Sequence, residues 1–312
     1  MPLSINIQHI SRAFGKKDVL RDVSIEISPG EIVGFAGLNG AGKTTTMKIA
    51  CGVLHPSKGD VLINDTSIIK KKIEIASEIS WVPEFPMLDA MEKPKDIFHE
   101  LGNYLSYTGK ETRDRFEECM AKVSMTENIN KRIGSMSNGM KKRIHIAIGM
   151  FQNSENYLMD ETFNGLDPNG IEFLRNHILN LKKQGKAILL STHILSEIKG
   201  ICDRIVIIND GKIVKDVKVS SLDTEGIIRI RVQSLDQGRM KDLDKQLEEY
   251  GEVRIEPLAV EKQYEVVIRK PTLGLGKSYK IADRLDNMGL NIISVKEESE
   301  DIEEFFRKAI RE

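Results

Sequence analysis

One segment, Gly37-Leu38-Asn39-Gly40-Ala41-Gly42-Lys43-Thr44, constrains this chain more than any other. It fits the pattern G-x-x-x-x-G-K-[ST]. Ahead of it runs Ile32-Val33-Gly34-Phe35-Ala36, nearly free of polar side chains. Apolar residues at successive positions bury both faces of a strand, as in a parallel sheet covered by helices. Behind it, Lys43 to about Cys51 reads as a helix. In a strand, glycine-rich turn and helix, backbone N–H groups converge on an anion, and the helix N-terminus adds partial positive charge. Lys43 then serves as a point charge for β- and γ-phosphates, and Thr44 offers a hydroxyl to Mg²⁺. A glycine-rich turn that binds nothing is the alternative, and the full match in the right context disfavours it.

With 40% hydrophobic and 30% charged residues, the 312-residue chain is globular and long enough for one large domain or two ordinary ones. Lys plus Arg number 46 and Asp plus Glu 47, so no basic field is available to hold nucleic acid. Cys51, Cys119 and Cys202 are far apart and odd in number. They supply neither a disulfide framework nor paired metal-ligand spacing, which points to a reducing cytosol. The N-terminus does not read as a signal peptide, and no apolar run approaches the roughly 18 residues of a membrane span. Any membrane role is expected to come through a partner.

Val23, Ile25 and Ile27 alternate with polar residues, and Pro29-Gly30 ends that run as a turn. Apolar stretches like the one before the glycine-rich loop recur at Tyr157-Leu158-Met159, Ala187 to Leu190 and Ile205 to Ile208, the last followed by the turn Asn209-Asp210-Gly211. Leu174, Ile178 and Leu181 form a helical stripe closed by Gln184-Gly185. This alternation predicts an α/β core. Within about 85–150 the pattern is helical instead. Ile97, Leu101, Tyr104 and Leu105 make one stripe, and Phe116, Cys119, Met120 and Val123 another, which predicts an inserted helical lobe. After about 220 the order β-α-β-β-α-β, with strands near 228–232, 253–255, 264–268 and 292–295, predicts a small α+β module of the split-βαβ, ferredoxin-like kind, closed by a helix from Ile302 to Ile310. The acidic stretch Glu297 to Asp301 favours that helix's N-terminus. The expected domains are 1–220 and 221–312.

Asn156 to Met159 leads into Asp160-Glu161. A carboxylate at a strand end can hold Mg²⁺ directly or through water, and the next can polarise an attacking water as general base. Alone the pair would be an ordinary turn; with the phosphate loop upstream it reads as functional.

Here the chain resembles the nucleotide-binding subunit of an ATP-binding cassette (ABC) transporter, over residues 1 to about 215. Met136-Ser137-Asn138-Gly139-Met140 stands where that family has its Leu-Ser-Gly-Gly-Gln signature; Ser137 and Gly139 match and the other three depart. Asn164-Gly165-Leu166-Asp167-Pro168 resembles the D-loop, and Ser191-Thr192-His193 the switch histidine. Phe14 takes the place of the aromatic residue that stacks on adenine. Glu84, in Trp81-Val82-Pro83-Glu84, stands where a glutamine is usual. It keeps an oxygen for Mg²⁺ or water and adds a charge. Lys141, Lys142 and Arg143 oppose the dipole of the helix they begin, and we read the lysines as a solvated basic face. The remaining histidines, His9, His55, His99, His145 and His177, are assigned to surface or packing.

The resemblance implies an ABC-cassette P-loop fold with an antiparallel β subdomain. It implies ATP held by Phe14, Gly37, Asn39, Gly40, Gly42, Lys43, Thr44 and Thr45, and Mg²⁺ held by Thr44, Asp160 and Glu84. Glu161 and His193 would place the water, and Asp167 would bridge to the opposite subunit. Two subunits would pair head to tail, each lending Ser137 and Gly139 to the other's ATP. Such a homodimer would drive export through a separate integral-membrane permease, from the inner face of the cell membrane. A soluble ABC-type ATPase and a non-catalytic regulatory cassette are the rival readings. The cargo is open.

Overall fold

The computed structural model describes residues 4–85, 87–198, 200–222, 226–233, 243–258, 260, 262–269, 271–273, 276–298 and 302–311. The chain divides into two compact units, Met1–Asp216 and Val217–Glu312.

The first unit opens with an antiparallel layer. Strands β1 (Ile5–Phe14) and β2 (Lys17–Ile27) pair along their length; β3 (Ile32–Ala36) then leads through the glycine-rich loop into α1 (Lys43–Ala50). The chain returns as β4 (Lys58–Ile63), β5 (Thr66–Ser67) and the single turn α2 (Lys72–Ile75), completing a sheet of order β2-β1-β4-β5. Next come β6 (Ile79–Val82), α3 (Pro94–Tyr104), α4 (Gly109–Lys122), α5 (Asn138–Gln152), β7 (Asn156–Asp160), α6 (Pro168–Lys183), β8 (Ala187–Thr192), α7 (Leu195–Ile198), β9 (Arg204–Asn209) and β10 (Lys212–Lys218).

The second sheet has the order β10-β9-β3-β8-β7-β6, and the pairs β9-β3, β3-β8, β8-β7 and β7-β6 are parallel. All residues of β3, β7 and β8 are buried, as their apolar runs require. One core joins both sheets through α1: Ile5, Ile7 and Val61 of the antiparallel layer, Met47 and Ile49 of the helix, and Val33 and Leu158 of the parallel sheet belong to it. Between β6 and β7 lies the helical lobe. Rings of Phe98, Phe116 and Phe151, one each from α3, α4 and α5, meet at 5.0 and 5.1 Å. A reciprocal cap, in which Thr108 and Glu111 satisfy each other's backbone N–H, starts α4.

The second unit runs α8 (Val219–Leu222), β11 (Ile227–Gln233), α9 (Leu243–Leu247), β12 (Glu252–Pro257), β13 (Gln263–Arg269), α10 (Ser278–Asn287), β14 (Asn291–Glu298) and α11 (Ile302–Arg311). Its sheet has the order β12-β13-β11-β14, all pairs antiparallel. Ile228, Ile230, Val266, Ile268, Ile281 and Leu285 form a core of its own. Residues 234–242, where the β-α-β-β-α-β order places the approach to its first helix, lie outside the described residues, as do Ser299, Glu300 and Asp301 of the acidic stretch.

Candidate active site

Four adjacent parallel strands deliver the site. In the order β3-β8-β7-β6, their carboxyl ends carry in turn the glycine-rich loop, His193, the pair Asp160-Glu161, and Glu84. Ligands of open α/β sheets bind outside such ends, where the chain path switches direction across the sheet.

Two glycines shape the loop. A Cβ on Gly37 would stand 2.6 Å from the carbonyl oxygen of Ile208, so only glycine lets the loop leave β3 this close to β9. Gly42 precedes α1 with φ of 116°, a value L side chains rarely adopt. The loop, Lys43 and Thr44 border a cavity of about 430 Å³, and Asn39, Gly40, Glu84 and Glu161 also line it. Lys43 is buried; its Nζ donates to the carbonyl of Gly37 at 2.7 Å and lies 3.2 Å from Oε1 of Glu161.

The other carboxylate oxygen of Glu161 is 2.8 Å from Nδ1 of His193 and accepts from Asn164 Nδ2 at 3.3 Å. A carboxylate oxygen accepts, so Nδ1 is the donor of this bond. The backbone of Glu161 sits at φ of 45°, and its N–H donates to Oγ of Ser191 at 3.0 Å. The Ser191 hydroxyl in turn donates to Oδ1 of Asp160 at 2.5 Å. Oδ2 of Asp160 is buried with no hydrogen-bond partner among the described residues. An ionised oxygen left bare in the interior fits a cation. Among the described residues no group of three His, Cys, Asp or Glu could hold a metal alone, so a cation here would be completed by phosphate oxygens, water and Thr44. Burial, with the carboxylates of Glu161 and Asp160, raises the pKa of Glu84.

Phe14 is exposed, with the Arg12 guanidinium 4.8 Å from its ring centroid. The signature segment lies elsewhere. Neither Ser137 nor Gly139 lines the cavity; Phe14, Asp160 and His193 do not line it either, but His193 is joined to it by Glu161 and Asp160 by Ser191 and the Glu161 amide. Ser137 caps α5, its hydroxyl accepting from Met140 N at 3.3 Å, and Gly139 faces the carbonyl of Gly165. Arg143 donates to Asp167 at 2.5 Å and to the carbonyl of Val123 at 2.9 Å, and the guanidinium holds the Asp167 pKa below the usual carboxylate range.

Two expectations are corrected. The stripe Ile97, Leu101, Tyr104 and Leu105 is not the buried face of α3, which turns Pro94, Phe98 and Gly102 inward and leaves Tyr104 exposed. Lys142 is not on a solvated face: it is 2% exposed and donates to the carbonyls of Pro83, Glu84 and Glu161. The three charges Lys141-Lys142-Arg143 look alike in sequence, but helix rotation turns the middle one inward. Ser191 and Asn164 were also missed as site residues, although both stand inside segments singled out for their neighbours.

Fold and site together define a P-loop ATPase of the cassette type. The family model described as ABC transporter matches residues 20–164. The ABC transporter ATP-binding protein YhcH of Bacillus subtilis (strain 168) is 33% identical over 230 residues, 72% of this chain and 74% of YhcH. The bacitracin transport ATP-binding protein BcrA of Bacillus licheniformis is 27% identical over 311 residues, 99% of this chain and 98% of BcrA. Among solved structures, an ATP-binding subunit of an ABC transporter superposes with a TM-score of 0.66 at 27% identity, over 70% of this chain and 91% of that one. The cassette MJ0796, a dimer in a post-hydrolysis state bound to ADP and Pi, shares the fold with a TM-score of 0.62 at 22% identity, over 69% of this chain and 98% of that one. The chain belongs to the ATP-binding proteins of ABC transporters, a family of ATPases.

Proposed function

We propose that this chain is the ATPase subunit of an ABC exporter, working as a head-to-tail homodimer that drives a separate membrane permease. The observation that carries the reading is a division of the site. Lys43 and Glu161 line the phosphate-loop cavity and His193 is joined to Glu161, whereas Ser137 and Gly139, on the N-terminus of α5, neither line that cavity nor pair with those side chains. A second copy in two-fold relation completes both sites at once.

Hydrolysis of a phosphoanhydride needs placement and charge stabilisation more than covalent help. ATP entering the loop meets the N–H groups before α1, and its γ-phosphate competes with Glu161 for Lys43. That exchange frees the carboxylate to accept a proton from water. His193, hydrogen-bonded to the same carboxylate, fixes its direction. Thr44 and Asp160, with Glu84 at the rim, would hold Mg²⁺, which supplies charge neutralisation on the phosphates when bound. Phe14 offers its ring to adenine. The partner's Ser137 and Gly139 would close over the γ-phosphate.

A membrane partner is supported by exposed apolar side chains where the chain enters the helical lobe: Phe85, Met87 and Met91. Among the described residues no helix is long and apolar enough to cross a membrane, and the proposal places the permease in a separate chain with this one peripheral on the inner face. The likeness to the bacitracin transport protein, which extends through both units, supports a transport role, and export is the direction that the family resemblance implies. We assign residues 1–220 to the ATPase domain and 221–312 to an accessory domain of ferredoxin-like topology. Its strand order, with α9 and α10 as the two crossovers, supports that reading. Dimer support or regulation is its role.

The test is steady-state ATP hydrolysis by the full chain and by Lys43→Ala, with sizing of Glu161→Gln in ATP and co-purification from membranes. Loss of hydrolysis in the first variant, ATP-dependent dimers of the second and capture of a multi-span protein are expected. Parental hydrolysis by Lys43→Ala, or a monomer with ATP bound, overturns the reading.

A further inference from the structure

Lys142 is the fifth residue of α5, the helix capped by Ser137. A cation near a helix N-terminus opposes the dipole, and an ammonium removed from water is costly unless its donors are all used. Lys142 is 2% exposed and its three donors meet three acceptors: the carbonyls of Pro83 at 3.0 Å, Glu84 at 3.0 Å and Glu161 at 3.2 Å. Burial lowers its pKa to about 8, against the opposing pull of Asp160, Glu84 and Glu161.

All three acceptors are backbone atoms, so these bonds fix chain path. Two belong to the segment that leads from β6 toward the helical lobe. The third belongs to Glu161, whose φ of 45° is uncommon for a residue with a side chain. Strained backbone at a site persists only where its surroundings over-determine it. Here the amide of Glu161 is held from β8, by Ser191 Oγ at 3.0 Å and Ser191 O at 3.2 Å, and its carbonyl from α5 by Lys142.

We propose that Lys142 is a positioning residue for hydrolysis: through the carbonyls of Pro83, Glu84 and Glu161 it ties the general base to the helix that carries Ser137, so that a signature helix seated on the partner's nucleotide also sets the glutamate of its own subunit. The inference rests on the head-to-tail ATPase reading above.

Full-length Lys142→Met removes the donors at similar length, and Lys142→Gln restores amide donors without charge. We expect Lys142→Met to lower kcat at least tenfold. Its KM for ATP, its affinity for a fluorescent ATP analogue and its ATP-dependent dimerisation should stay within threefold of the parent. Lys142→Gln should recover at least fivefold of that loss. A kcat within twofold of the parent overturns the proposal. So does a loss matched by equal losses of affinity and dimerisation, the result expected of a lysine that only stabilises the helix. If Lys142→Met does not fold, Lys142→Arg decides alone: its planar fork cannot reproduce the three bonds of the ammonium, so a threefold or larger fall in kcat with affinity kept supports the proposal, and a smaller fall overturns it. Hydrolysis that survives Lys43→Ala would sink the underlying ATPase reading instead, and with Lys43→Ala inactive only the role of Lys142 is at stake.

Discussion

Nζ of Lys43 lies 3.2 Å from Oε1 of Glu161, and both side chains are 5% exposed. The cation that we assign to phosphate and the carboxylate that we assign to water therefore pair with each other in the protein alone. Breaking such a buried pair without replacing a partner is strongly unfavourable. In the proposed reaction a γ-phosphate would replace the carboxylate on Lys43, so nucleotide binding and release of the base would be one event.

Glu161→Gln separates the two consequences. The amide cannot take a proton from water, and it competes less well for Lys43. Hydrolysis should fall by about 10²–10⁴-fold, the usual contribution of a positioned base. ATP affinity should rise by about fivefold, because a charge-assisted contact is about twice as strong as the neutral one that replaces it and the difference is about 1 kcal/mol. Equilibrium binding and single-turnover hydrolysis read the two effects, and weakened binding would contradict the exchange.

Ser191→Ala removes the hydroxyl that donates to Asp160 and accepts from the Glu161 amide. Hydrogen bonds to charged groups contribute about 1.5–3 kcal/mol, so a Tm lowered by about 5 °C is expected. Hydrolysis should drop about tenfold through misplacement of both carboxylates. An unchanged kcat in a less stable protein would show the hydroxyl to be structural only.

Gly37→Ala adds a Cβ 2.6 Å from the carbonyl oxygen and 2.8 Å from Cγ2 of Ile208. The first neighbour is backbone of a central strand and gives way poorly. Overpacking of this kind destabilises by about 1–3 kcal/mol. Because the strain falls on the phosphate loop, ATP affinity should weaken with Tm. A parental melting curve would contradict the close approach of β3 and β9.

His145 gives a pH signature. It is buried on α5, its Nε2 has no partner among the described residues, and burial, aided by Lys142, lowers its pKa to about 4. The unfolded chain binds that proton near pH 6.5, so below this value the unfolded state holds more protons than the folded one. Stability is then lost as pH falls, by up to about 1.4 kcal/mol per pH unit, until the folded pKa is reached. His145→Leu lacks the term. The difference in Tm between variant and parent should grow in the variant's favour between pH 7 and 5. A constant difference would place His145 in contact with solvent.

Elements with strong periodicity were legible: the apolar runs of β3, β7, β8 and β9, the stripes of α4 and α6, and the strand–helix order of the second unit. Lys58–Ile63 and Ile79–Val82 were not recognised as strands. The first is short and half polar, with only Val61 and Ile63 buried; the second is four residues at the sheet edge, broken by Ser80 and followed by Pro83. Such segments are stabilised by their neighbours more than by their own pattern. Lys142 was misread for a related reason. Charge is visible in a sequence, but the acceptors that make burial tolerable come from residues 58, 59 and 19 positions away.

The sequence by itself determined the chemistry on offer: a glycine-rich loop of the pattern that cradles phosphate, two carboxylates at a strand end, a histidine after another strand. Those are local patterns, and local backbone physics suffices to read them. The tertiary structure decided which of them meet. Strand order is set by which faces bury together, and the order β3-β8-β7-β6 puts Lys43, His193, Glu161 and Glu84 side by side while leaving Ser137 outside. The pairing of Lys43 with Glu161 and the burial of Lys142 are likewise long-range contacts, fixed only when the core closes around them.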